Sequence, residues 1–320
     1  MAAKKILREE FRLKHVWLNF HHHEPFYTCQ WKWPSFIFLI YRILFACYTL
    51  GSLIQYAIKV TAYYEDAKEV GETAHHTMTY LTTWSYVILT AHFNMACAIC
   101  VWSMIKAHKS GKSAITDVNG GIQNQGFKHS TEEVSEEIGN TGVQNSYIDD
   151  NNTAKTHPDE IIANRIKPIP WYSKISWILA NIISVWAVIV SLVFYIALFP
   201  SDGVLLFHSV NVHLMNSVVV LIDTALCARP VRILHVIYPV IYGLTYMIFS
   251  IIYWSTDTVN NVLYPVVLDW NNIPVTLGFG IGLLIVVMPS LQLMFFGLYH
   301  LKLYIFKKIY KHEYLDVISK

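Results

Sequence analysis

Charged side chains are scarce. Asp, Glu, Lys and Arg make up 14% of the 320 residues, against about 25% in an average soluble protein. So little charge cannot cover a water-facing surface of this size, which excludes an ordinary soluble enzyme. A hydrophobic share of 54% excludes a disordered chain. Cysteine is rare too. Of the five, Cys47, Cys97, Cys100 and Cys227 fall in apolar runs and Cys29 just precedes the first, so neither a disulfide-stapled secreted module nor an extracellular disulfide is expected. Cys97-x-x-Cys100 has redox spacing without a thioredoxin pattern around it. Cys29 is either an inert thiol or a palmitoylation site. A phosphate loop, a Ser-centred elbow, an HExxH motif and a visible internal repeat are also missing, and the polar first 35 residues do not read as a signal peptide. His21-His22-His23-Glu24 and His75-His76 lack partners at zinc spacing, so neither metal nor cofactor is expected.

What is present is apolar sequence in long runs, with a mean hydropathy of +0.37. A bilayer core of about 30 Å needs roughly 20 apolar residues in a helix. Six segments qualify, near 36–58, 79–105, 175–199, 204–228, 231–254 and 275–301. None alternates like a barrel strand, and in lipid the backbone must satisfy its own hydrogen bonds. The expected fold is all-α: a polytopic membrane protein with six transmembrane helices. Phe199-Pro200-Ser201-Asp202-Gly203 marks a turn, Arg229-Pro230 separates spans four and five, and Pro289 should kink span six. Trp31, Trp33, Tyr80, Trp84, Trp102, Trp171, Tyr253 and Trp254 fall near span ends, where half-polar aromatics are favoured.

The net charge of +2 hides an asymmetry. Alternate segments (the N-terminus, the loop after span two, the hinge after span four and the tail) hold 21 of the 24 Lys and Arg. The other loops hold Lys59 and Lys68, and Arg42 lies inside a span. Both termini are therefore expected in the cytoplasm. The organisation reads as a cytoplasmic N-terminus over 1–35, spans one and two over 36–105, a disordered cytoplasmic loop over 106–170, four further spans over 171–303, and a cytoplasmic tail over 304–320. The loop offers Ser130, Thr131 and Ser135 as phosphorylation candidates. Its sequon at Asn151 should stay bare if the loop is cytosolic.

Ionisable groups inside spans are costly and usually paired or functional. Here they are Arg42, His92, His213, Asp223 and His235. At about 1.5 Å per residue, Arg42, Asp223 and His235 share one depth near the cytoplasmic end. They are expected to form a polar cluster with Asp223 paired to Arg42 or His235, as a packing clamp or as a proton or headgroup site. Nearer the other end, His213, Asn216 and Asp223 fall on one predicted helical stripe, and Thr82, Thr83 and Ser85 lie in the first turns of span two. His92 falls near the level of Asn216 and could bridge the two helices.

Several stretches together resemble the rolling stone family of insect myoblast-fusion membrane proteins. They are Phe26-Tyr27-x-x-Gln30-Trp31, Leu39-x-Tyr41-Arg42, Tyr80-Leu81-Thr82-x-Trp84, His213-Leu214-Met215-Asn216-Ser217 running on to Leu221-Ile222-Asp223, Pro230-x-Arg232-Ile233-Leu234-His235, and Tyr264-Pro265-x-x-Leu268-Asp269-Trp270-Asn271-Asn272. The resemblance covers nearly the whole chain outside 106–170. It implies a role in cell fusion and supplies no biochemical activity. More distantly, the chain is similar to the androgen-induced and androgen-dependent multispan hydrolases of fatty-acid esters of hydroxy fatty acids. These use a Thr in a Phe-Leu-Thr context, like Tyr80-Leu81-Thr82, and a His in an Asn-His-x-x-His-Thr context, like Val212-His213-Leu214-Met215-Asn216-Ser217. Here Asn216 stands where the catalytic His would be, and an amide cannot act as a base.

Three readings follow: a plasma-membrane protein of cell fusion or adhesion; an intramembrane ester hydrolase; and a transporter or channel using the same polar stripe. The hydrolase would use Thr82 as nucleophile, His213 as base and Asn216 as oxyanion donor. The expected partners are the lipid bilayer, a lipid substrate under the second reading, and lateral or cytosolic proteins. The basic tail suits anionic lipid rather than nucleic acid.

Overall fold

The computed structural model describes residues 8–20, 22–69, 75–109, 169–199, 207–312 and 314. The sequon and phosphorylation candidates of 110–168, the turn at 200–203 and His21 lie outside them. Among the described residues there are helices and turns but no strand, only isolated backbone bridges.

Six helices follow in order. α1 is Ser35–Glu69 and α2 is Leu81–Lys109. α3 is Trp171–Val193, extended by a π turn over Phe194–Leu198. α4 begins at Phe207–Val210, widens into a π turn at Asn211–Met215 and continues as Asn216–Leu226. α5 is Ile237–Thr256, entered by the 3-10 turn Ile233–Val236. α6 runs from Ile273–Gly282 through a π turn at Leu283–Val287 into Met288–Tyr310. Five of these are long and apolar enough to cross a membrane; α4 is a shorter apolar helix. The chain is therefore an integral membrane protein by the length and composition of its helices.

α3 is the centre of the bundle and packs against α2, α4, α5 and α6. Its faces carry Ile183, Val185, Trp186, Ala187 and Ile189, all buried. The outer faces of α5 and α6 present Ile241, Ile248, Ile252, Ile285 and Val286, all exposed. Apolar groups outside and hydrogen-bonded groups inside is the arrangement lipid requires. At Pro289 the ring cannot sit against a regular preceding turn. The π turn Leu283–Val287 immediately before it makes the adjustment, where a kink is expected.

Because bilayer lipid is as apolar as a leucine, helices in it associate through close packing, which favours small residues at contacts. Gly243 is such a residue. A Cβ there would lie 2.6 Å from Cζ2 of Trp186 and 3.1 Å from Cε of Met288. Trp186 cannot swing aside cheaply, since its Nε1–H donates to the Pro239 carbonyl at 2.8 Å. Gly243→Val should therefore push α3 and α5 apart and lower stability by about 1–3 kcal/mol. Thermal unfolding of the purified protein in detergent measures this; an unchanged midpoint would show that the contact is looser than described.

Candidate functional site

Two polar regions lie in the bundle, one near each end. At the end where the segments before α1 and after α6 meet, Asp223 stands in the last turn of α4 and is almost wholly buried. Its Oδ1 accepts from Arg42 Nη1 at 2.7 Å, from the Tyr41 hydroxyl at 2.9 Å and from Cys227 Sγ at 2.9 Å. Its Oδ2 accepts from Arg229 Nη2 at 2.8 Å and meets His92 Nε2 at 3.3 Å. Five donors thus surround one carboxylate. Such satisfaction is what a buried ion needs to offset its desolvation.

His235 does not join them. It packs edge-on against Trp177 with ring centroids 4.6 Å apart, and its Nδ1 meets Asn181 at 3.2 Å. The entry to α5 is a 3-10 turn, and it directs His235 toward α3 rather than α4. His92 likewise meets Asp223 rather than Asn216. Arg229, Cys227, Tyr41 and Lys302 are members that sequence reasoning missed. Arg229 read as a hinge charge and Lys302 as part of the basic tail, yet both are buried. For Lys302 a signal existed: it shares the face of Phe295, Tyr299 and Phe306, at helical spacing.

The N-terminal segment reads as a polar tail but is docked over this cluster, where it terminates α4. A helix end leaves its last carbonyls without partners. The Thr224 carbonyl accepts from Lys302 Nζ at 2.8 Å, the Ala225 carbonyl from Trp31 Nε1 at 2.9 Å, and the Leu226 carbonyl from the Gln30 N–H at 2.7 Å. Lys302 Nζ also donates to the Cys227 carbonyl. A cation at this end also complements the helix dipole. Further along the segment, His23 Nε2 pairs with Ser173 Oγ at 2.7 Å. Burial holds the His23 imidazole below its ordinary value, so the neutral ring makes that bond.

At the other end is a cavity of about 450 Å³ walled mostly by aromatic and aliphatic side chains. All three π turns of the described chain border it: Phe194 and Leu198 from α3, Val212 and His213 from α4, Leu283 and Leu284 from α6. Such turns are frequent at functional sites. Thr82, in the first turn of α2, also lines it. That turn is pinned from the loop before α6, where the Leu81 N–H donates to the Tyr264 hydroxyl at 3.0 Å. Burial pushes the Tyr264 phenol up to about 12, so it stays neutral. Thr83 and Ser85 turn inward instead, to the Thr77 carbonyl at 2.8 Å and the Tyr242 hydroxyl at 3.2 Å.

Thr82 and His213 therefore share one cavity; Asn216 does not reach it. The Asn216 Nδ2 donates to the Val212 carbonyl at 3.1 Å, and its Oδ1 accepts from the Ser217 N–H at 2.7 Å and Ser191 Oγ at 3.2 Å. Asn216 thus stands apart from the cavity that Thr82 and His213 line, where the hydrolase reading expects it as an oxyanion donor. The π turn over Asn211–Met215 takes more residues per turn than a regular helix, so the spacing of about 100° per residue that put His213 and Asn216 on one stripe does not hold across it. His213 lies flat on Phe194, with centroids 3.5 Å apart and planes at 1°. Among the described residues no three His, Cys, Asp or Glu gather as a metal site.

Comparison with known proteins adds a family. Residues 169–315 match the family model described as Protein rolling stone. The chain is 35% identical over 136 residues to Protein rolling stone of Drosophila melanogaster, a stretch covering 40% of this chain and 49% of that protein. The match thus spans about half the length of that relative. No solved structure matches the chain.

Removing the central carboxylate tests the polar clamp. Asp223→Ala leaves Arg42 and Arg229 buried without a counter-charge and should cost about 3–5 kcal/mol. His235→Ala, outside the cluster, should not reproduce the loss of N-terminal docking. Thermal unfolding, with proteolytic sensitivity of the segment before Ser35, reads both. Equal behaviour of the two variants would remove Asp223 from its central place.

Proposed function

We propose, from the match of residues 169–315 to the rolling stone family, that this is a six-span plasma-membrane protein of that family acting in cell fusion, with both termini in the cytoplasm. The observation that carries the topology is the meeting of Thr28 with Tyr314, whose hydroxyls lie 3.1 Å apart. Segments before α1 and after α6 on one side of the bundle require an even number of crossings. α4, though short, supplies the sixth. The 21 basic residues on that side favour the cytoplasm for it. An epitope tag at the N-terminus should be reachable only after permeabilisation, and Asn151 should carry no glycan. A glycan at Asn151 in cells overturns the orientation.

Fusion follows from the family resemblance. The short loops at the far end leave little area for an extracellular receptor, so the partners are lateral membrane proteins or cytosolic proteins at the basic face. A second reading is favoured by Thr82 and His213 lining one apolar cavity: an intramembrane Thr/His hydrolase of lipid esters. Thr82 Oγ would add to the ester carbonyl carbon while His213 takes its proton. The alkoxide would leave with that proton, and water would release the acyl group from Thr82.

One rescue experiment separates the two readings. In fusion-competent cells depleted of the protein, fusion should return with the wild type and equally with the Thr82→Ala/His213→Ala double variant. Failure of a double variant that is stably expressed, together with Thr82-dependent labelling by a fluorophosphonate probe, would replace the first reading with the second.

A further inference from the structure

The buried charges around Asp223 do not balance. Arg42 is 1% exposed, Arg229 9% and Lys302 6%, yet Asp223 is the only carboxylate paired with any of them among the described residues. The carbonyl end of α4 adds the equivalent of about half a negative charge, which Lys302 uses. This leaves an excess of between one and two positive charges, and an uncompensated buried ion costs several kcal/mol.

Beside the cluster, between α3, the end of α4 and α6, lies a second, small cavity of about 20 Å³. Arg229 and Lys302 both form part of its wall, together with the side chains of Asn181, Ser184 and Gln292. No carboxylate borders it among the described residues. Arg229 has five N–H donors, of which one Nη2–H is engaged by Asp223. The Lys302 ammonium has three, two of them directed to the Thr224 and Cys227 carbonyls. Gln292 carries a two-proton amide with one bond, to the Arg232 carbonyl, whereas the Asn181 amide is taken up by the Trp177 carbonyl and His235 Nδ1. Donor capacity therefore converges where positive charge is in excess.

We propose that this cavity is a binding site for one monatomic anion of chloride size, held between Arg229 and Lys302. The volume sets the class. A single water-sized particle needs roughly 10–15 Å³, so the cavity is scaled to one small ion rather than to a lipid headgroup. The anion completes the neutralisation that Asp223 begins and ties the end of α4 to α6 beneath the docked N-terminal segment. The inference is independent of whether the Thr82 cavity is catalytic.

The test is thermal unfolding of the purified full-length protein in detergent, in sodium chloride, bromide, gluconate and sulfate at matched ionic strength. Matching removes general screening. A saturable rise of a few degrees in chloride and bromide, absent in gluconate and sulfate, is the expected result. Lys302→Met should abolish the halide dependence. If that variant does not fold, an anomalous bromide signal between Arg229 and Lys302 in the wild type replaces it. Identical midpoints in all four salts, a halide effect that survives in folded Lys302→Met, or bromide located elsewhere each overturns the proposal; the first would mean that the cavity holds water only.

Discussion

One carboxylate in an apolar bundle constrains much of what surrounds it. Asp223 cannot be solvated where it sits, so the chain brings charge and donors to it from three other places. α1 supplies Arg42 and Tyr41, α2 supplies His92, and the turn after α4 supplies Cys227 and Arg229. These contacts fix the relative rotation of helices that lipid alone would leave free to turn. Hydrophobic burial cannot do this in a bilayer, because a leucine gains little by leaving lipid for protein. Directional polar contacts and close steric fit, as at Gly243 against Trp186, take over.

The end of α4 extends that constraint outward. A helix that stops inside the bundle must find partners for its last carbonyls. Here they come from the N-terminal segment and from Lys302 of α6. The result links the first and last parts of the chain through one helix terminus. A segment that looks like a cytoplasmic tail thereby becomes part of the folded unit. Its own aromatic cluster, Phe20 and Phe26 against Trp177, holds it in place.

The opposite end is built on a different principle. Three π turns open space where regular helices would close it, and the cavity they border is apolar apart from a few groups such as Thr82 and His213. Polar packing at one end of the bundle thus contrasts with an apolar volume at the other. Whether chemistry occurs there depends on groups that the cavity gathers, and Asn216 is not among them.

Composition and run length determined the class of this protein: helical and membrane-embedded. Those properties depend only on what each segment is, since about 20 apolar residues must span lipid wherever they stand in the chain. The need of Asp223 for a partner was equally legible, because a buried charge has to be paired. Which partners it has was not. Rotation about each helix axis decides contacts, and irregular turns shift that rotation without leaving a mark in a period-3.6 pattern. The π turn at Asn211–Met215 separated His213 from Asn216, and the 3-10 entry to α5 sent His235 to Trp177. Lys302 and Arg229 were read from their place in the chain as surface charges. Only the tertiary structure set them in the interior, because the carbonyl end of α4 and the carboxylate of Asp223 lie there to receive them.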